Sequence, residues 1–145
     1  DLMARAKSDP LVQRLANVEL FEGLSTKQLD AIASAMRERT FAAGDTIIEE
    51  GATDGRFYLI DSGTADVSLK GTVVDHLGPG DYFGEIALID NGPRTASVTA
   101  TSDVRSLTLA HFNFRAVLKD NPDLVQKLLV QVCRLLRNTE AELYT

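Results

Sequence analysis

Residues Phe83–Val98 read FGEIALIDNGPRTASV, and Glu85 stands nine residues ahead of Arg94 in that run. A guanidinium offers a planar fork of N–H donors that takes a phosphate bidentately. A carboxylate cannot bind phosphate, but it accepts a hydrogen bond from a hydroxyl such as a ribose 2′-OH. Gly84 permits a backbone conformation, or a close approach, that a Cβ would block. EIALI then has the length of one short helical turn, whose leading N–H groups lack partners within the turn and face an anion. Arg94 follows a flexible DNG and a stiff Pro93. Thr95 adds a hydroxyl, and Thr95 and Ala96 add backbone donors. Together these groups suit a small ligand with a phosphate beside a hydroxyl, Arg94 serving the anion and Glu85 the sugar. The same two residues would otherwise make a structural ion pair, compensating charges that are costly to bury alone.

Such a segment needs a rigid frame, and three zones of different period surround it. Residues 10–37 read as helical. Leu11, Leu15 and Val18 recur at helical spacing, and Ser25 with Gln28 forms a capping box. Leu29, Ile32, Ala33 and Met36 then make an apolar stripe. Residues 40–109 read as β. The runs TIIEE, RFYLID, ADVSLK, TVVDHL, ASVTAT and VRSLTLA are rich in β-branched and aromatic residues, and glycine-bearing turns separate most of them. Short strands at this spacing predict a sandwich or barrel. Val104, Leu107 and Leu109 do not share one parity, so a bulge or strand end is expected there. The segment of residues 83–98 is an excursion from the sheet, the kind of loop that carries binding groups on a rigid scaffold.

Residues 111–143 read as helical again, interrupted at Asn121–Pro122, with Pro122 at a first helical position and Asn121 as its cap. Val125, Leu129, Val132, Leu136, Thr139 and Leu143 follow a heptad spacing, and Leu124, Leu128 and Leu135 form a second apolar line. One line can pack on the domain and the other on a partner; a single wide core stripe is the alternative. Cys133 reads as a small core hydrophobe.

The bulk numbers set limits. A chain of 145 residues favours one compact domain. Its net charge of −6, with acids and bases interspersed, argues against a non-specific nucleic-acid binder. One cysteine builds no disulfide, which fits a reducing, cytoplasmic setting. Two histidines, His76 and His111, are too few for the inward cluster of ligands that a metal-dependent β-barrel enzyme would need. No stretch approaches the ~20 apolar residues of a membrane span, and the start lacks a signal-peptide pattern. The first residue is Asp1 rather than Met, so a piece of a longer protein is expected.

The pair FGEIAL and PRTASV resembles the phosphate-binding cassette of cyclic nucleotide-binding domains. The family pattern runs F-G-E-[I/L]-A-L, a short loop, then P-R-x-A-[S/T]-V, and Phe83–Leu88 and Pro93–Val98 match it without departure. The likeness continues through LFEGLSTKQLDAIA, GDTIIEEG, FYLIDSGTADV and NPDLVQKLLVQVCRLL. It implies an α+β, mainly β fold: an eight-stranded, jelly-roll-like β-roll over 38–110 holding a short helix in the cassette. N-terminal helices would occupy 1–37 and two C-terminal helices 111–145. It implies ribose contacts from Glu85 and Gly84, and cyclic-phosphate contacts from Arg94, Thr95, Ala96, Ala87 and Ile86. Thr95, Val98 and Leu77 would form the base pocket, with Arg134, Leu135, Asn138 and Thr139 as lid residues.

The C-terminal segment is similar to the long dimer helix of bacterial catabolite activators. Thr139 falls where a Thr meets the adenine amino group, and Glu140 stands where the family has a serine. Thr after the cassette Arg is frequent in cGMP binders, yet the chain is more like bacterial activators than animal kinases, which favours cAMP. The resemblance thus implies a non-catalytic cAMP sensor without metal or cofactor. It would control an effector in the same chain or on a partner protein by repositioning residues 111–143. A homodimer through 124–143 is expected, with no direct nucleic-acid contact and no membrane segment. A cGMP sensor, or a same-fold interaction module that binds no nucleotide, is the alternative.

Overall fold

The computed structural model describes residues 9–143. The chain forms two compact units, Met36–Phe114 and a helical unit made of the segments before and after it.

In the helical unit, α1 spans Pro10–Ala16. Asp9 caps it, accepting the Leu11 N–H at 2.8 Å, and Pro10 takes the first helical position. Its buried side chains are Val12 and Leu15, and Val12 therefore holds the inward place expected of Leu11. A 3₁₀ turn, Glu19–Phe21, buries Leu20 and Phe21. Helix α2, Thr26–Ala35, starts at the capping box: Ser25 Oγ accepts the Gln28 N–H at 3.1 Å, and Gln28 Oε1 accepts the Ser25 N–H at 2.9 Å. Leu29 and Ile32 are its buried residues.

The second unit holds eight strands: β1 Arg37–Phe41, β2 Thr46–Ile48, β3 Arg56–Ser62, β4 Ala65–Leu69, β5 Thr72–Leu77, β6 Tyr82–Phe83, β7 Ser97–Ala100 and β8 Val104–Ala110. They form two antiparallel sheets ordered β1-β8-β3-β6 and β2-β7-β4-β5. That is the jelly-roll arrangement of a β-roll. Ile47, Ile48, Tyr58, Ile60, Ala65, Phe83, Val98, Ala100 and Val104 fill its core. Tyr58 and Phe83 stack at its centre, ring centroids 4.9 Å apart.

The uneven parity of β8 has a polar cause. Val104, Ser106 and Thr108 alternate with Leu107 and Leu109, and the two hydroxyl residues are buried. Ser106 Oγ donates to the Arg39 carbonyl at 2.9 Å and Thr108 Oγ1 to the Arg37 carbonyl at 3.1 Å, so each buried hydroxyl is satisfied by β1. The bulge lies in the neighbouring strand, where Ile60 faces Ser106 and Ser62 faces Arg105.

Helix α3, Glu85–Asp90, sits between β6 and β7 and buries Ala87 and Leu88, packing on β3. Helix α4, His111–Asp120, begins in the β unit, where the His111 N–H donates to the Gly55 carbonyl at 2.6 Å and Nδ1 lies 2.7 Å from the Leu88 carbonyl. Helix α5, Pro122–Leu143, buries Leu124, Leu128 and Gln131 and packs on the 3₁₀ turn within the helical unit. Asn121 works backwards along the chain: its Nδ2 donates to the Val117 carbonyl of α4 at 2.8 Å. Cys133 is exposed, not a core residue, because it falls on the outer face of α5.

Candidate functional site

The geometry of the cassette begins at Gly84. Its φ of 85° is left-handed, and a Cβ there would lie 2.5 Å from the Arg56 carbonyl oxygen and 2.6 Å from Arg94 Nη1. Glycine is required on both counts. From it α3 turns away from β6 and carries Glu85, half-buried, in its first turn. Asn91, at φ 50°, ends the helix and donates its N–H to the Ala87 carbonyl at 3.0 Å. Asp90 Oδ1 accepts the Gly92 N–H at 2.7 Å and tightens the turn into Pro93.

Arg94 is pinned by its main chain. Its N–H donates to the Ala52 carbonyl and its carbonyl accepts the Gly51 N–H, each at 2.8 Å. Its side chain is only 4% exposed. Nη2 donates to the Asp54 carboxylate and to the Arg56 carbonyl, while Nε is buried without a hydrogen-bond partner. An unsatisfied N–H on a buried cation is expensive, and an incoming anionic oxygen would relieve it. Asp54, which the sequence reading did not select, forms an ion pair with Arg94. The sequence reading missed Asp54 because the contact crosses 40 residues and joins a turn to the cassette.

A cleft of about 390 Å³ opens in front of these groups, within the range of small-ligand sites. Gly84, Glu85, Ile86, Ala87, Arg94, Thr95, Ala96, Val98 and Leu77 all line it, so the structure gathers the expected phosphate, ribose and roll-side base residues in one place. It adds Ile48, Val67, Asp75, Tyr82 and Asp90, which the sequence reading did not select. The apolar ones among them showed only as strand residues, since alternation tells which face is inward but not which part of it opens to solvent. Arg134, Leu135, Asn138 and Thr139 belong to α5, in the other compact unit, and the cleft is lined by residues 48–98. Thr139 Oγ1 donates to the Leu135 carbonyl of its own helix at 3.0 Å. Among the described residues no three His, Cys, Asp or Glu side chains gather as a metal site, and no helix is long and apolar enough to cross a membrane.

Comparison with known proteins agrees with this geometry. The family model of the cyclic nucleotide-binding domain matches residues 38–121. The cAMP-dependent protein kinase regulatory subunit of Eremothecium gossypii is 42% identical over 105 residues, 72% of this chain and 23% of that protein. The CRP-like cAMP-activated global transcriptional regulator of Mycobacterium tuberculosis is 30% identical over 134 residues, 89% of this chain and 60% of that one. The chain therefore spans less than two thirds of the length of these relatives. The crystal structure of the N-terminal domain of a transcriptional regulator from Streptomyces coelicolor A3(2) superposes with a TM-score of 0.80 at 32% identity, covering 90% of this chain and 94% of that one. A jelly-roll topology, a cassette matched at every fixed position and a buried arginine facing a ligand-sized cleft all point the same way: the chain belongs to the cyclic nucleotide-binding domain family.

Proposed function

We propose that this chain is the sensor module of a larger regulatory protein, that cAMP is its ligand, and that it carries no catalysis of its own. The observation that bears most weight is the buried Arg94 with an unpartnered Nε at the cleft. In this reading Arg94, with the backbone donors of Ile86, Ala87, Thr95 and Ala96, takes the cyclic phosphate, and Glu85 beside Gly84 accepts the ribose 2′-OH. Val98 and Leu77 bound the base, and α5 supplies the lid through Arg134, Leu135, Asn138 or Thr139. The relatives named above support cAMP because both are described by that ligand. Exposed Thr95 keeps cGMP as the second reading, since its hydroxyl can meet a guanine amino group.

Ligand binding can drive an effector only by favouring one arrangement of 111–143 over another. A differential of about 5.5 kcal/mol moves a population from 1:99 to 99:1. The effector is an attached domain or a partner protein, the setting is cytoplasmic, and this segment does not touch nucleic acid itself.

Calorimetric titration with cAMP and cGMP tests the reading. Wild type should bind cAMP more tightly than cGMP, and Arg94→Ala should weaken cAMP by about 100-fold, the loss expected for a buried hydrogen-bonded charge pair. Unchanged affinity in Arg94→Ala would remove the site assignment.

A further inference from the structure

One face of the cleft is a single row running across four strands. Ile48 of β2 pairs with Val98 of β7, Val98 with Val67 of β4, and Val67 with Asp75 of β5. All four line the cleft. Exposure rises along the row: Ile48 and Val98 are buried, Val67 is half-buried and Asp75 is exposed on the edge strand. With strands about 4.8 Å apart, three apolar side chains form a flat floor that ends in a carboxylate. A two-residue turn at Lys70–Gly71, both at positive φ, joins β4 and β5 in a tight hairpin, and a one-residue shift of the pairing between Val67 and Ser68 then sets Val67 opposite Asp75.

Asp75 needs an account because the cleft is otherwise short of positive charge. Its lining carries Asp75, Glu85 and Asp90 against one cation, Arg94. Asp90 serves the turn through the Gly92 N–H, and Glu85 is the sugar acceptor in the reading above. Asp75 Oδ1 accepts the His76 N–H at 2.8 Å, which orients the carboxylate on its own strand. The His76 ring turns to Asp66, Nδ1 to Oδ1 at 2.6 Å, and so pairs with a different acid. An ionised carboxylate only accepts hydrogen bonds. It repels the phosphate, and what it can recognise is an N–H donor on a flat ring lying over Ile48, Val98 and Val67.

We infer that Asp75 reads the base, its carboxylate accepting a hydrogen bond from the 6-amino group of adenine laid along this row. The inference rests on the cAMP reading, and the 6-amino group carries the only N–H donors on the adenine of cAMP. Asp75 is thereby a specificity residue on the β-roll itself, separate from any lid residue of α5. Guanine placed the same way presents its 6-oxygen, an acceptor, to the carboxylate.

The test compares ligands that differ at that one group. The 145-residue chain and its Asp75→Ala and Asp75→Asn variants are titrated calorimetrically with cAMP, with purine riboside 3′,5′-cyclic monophosphate, which lacks only the 6-amino group, and with cGMP. Wild type should bind cAMP about tenfold tighter than the des-amino ligand, the scale of one hydrogen bond to a charged group. Asp75→Ala should erase that difference by weakening cAMP alone, Asp75→Asn should retain part of it through its amide oxygen, and cGMP should bind Asp75→Ala more tightly than wild type. The comparison between ligands cancels any general gain from removing a negative charge. An equal effect of Asp75→Ala on cAMP and the des-amino ligand, or a loss for cGMP greater than for cAMP, overturns the inference. If wild type binds all three ligands equally, the base assignment fails while the cyclic nucleotide reading stands; if it binds none of them, that reading fails first and the inference with it.

Discussion

Arg94 reaches its position through its main chain as much as its side chain, with two backbone hydrogen bonds to residues 51–52 and Nη2 held by Asp54 and the Arg56 carbonyl. The guanidinium is thus oriented before any ligand arrives, and an oriented donor loses less freedom on binding. Gly84 makes the arrangement possible, since both the Arg56 carbonyl and Arg94 Nη1 occupy the space a side chain would enter. Gly84→Ala should therefore act twice. The left-handed backbone alone costs an alanine about 1–2 kcal/mol, so urea unfolding should show at least that loss. Moving Nη1 should also weaken cAMP binding beyond the stability effect, measured at a temperature where the variant is fully folded. A variant that lost stability but kept wild-type affinity would show that Arg94 adjusts freely, contrary to the tight packing around it. Glu85 and Arg94 were visible to sequence reasoning because the cassette is local. Asp54 was hidden because nothing in ATDG signals a partner 40 residues away.

At the scale of elements, the two apolar lines of α5 have separate fates. Leu124 and Leu128 are buried, whereas Val125, Leu129, Val132, Leu136 and Leu143 are exposed, Leu129 and Leu136 by 57% and 58%. Leu128→Ala should cost about 2–4 kcal/mol, the usual loss for a buried leucine, while Leu129→Ala should leave the stability of a single chain nearly unchanged. If the exposed line is a dimer seam, as we propose, sedimentation should show a dimer that the Leu129→Glu, Leu136→Glu double substitution converts to monomer without loss of helix content. A wild-type chain that stays monomeric at high micromolar concentration would exclude this seam. The heptad spacing showed both lines in the sequence, but periodicity alone could not say which line the domain covers. Strands divide in a similar way. Six runs announced themselves by β-branched content, but β1, Arg-Glu-Arg-Thr-Phe, is almost wholly exposed and charged, and β6 is two residues long. Both earn their place only by pairing, β1 with β8 and β6 with β3, so tertiary contact decides them rather than propensity.

For the whole molecule, the roll's core joins folding to the site. Tyr58 stacks on Phe83, which directly precedes Gly84, and its ring also meets Phe41 edge-on at 6.2 Å. Burial raises the Tyr58 pKa above its ordinary 10.0, and the nearby Asp54 charge raises it further against the opposing pull of Arg39, Arg56 and Arg94. The sign follows from proton linkage. A folded-state pKa above the unfolded one means that, at alkaline pH, the unfolded chain has released the phenol proton while the folded chain still holds it. The stability attached to the neutral phenol is complete below pH 10.0 and declines as pH rises from there through the higher folded value. Urea melts of wild type at pH 8, 9, 10 and 11 should show a stability loss concentrated above about pH 10. Tyr58→Phe keeps the ring and removes the titrating group, so its curve should fall less steeply across that window after other tyrosines are accounted for by matched substitutions. Equal slopes in the two proteins would mean that the phenol is solvated in the folded state and that the roll is looser around Phe83 than its packing implies. Since Phe83 leads directly into the cassette, the same looseness would appear as weaker cyclic nucleotide binding at alkaline pH in wild type.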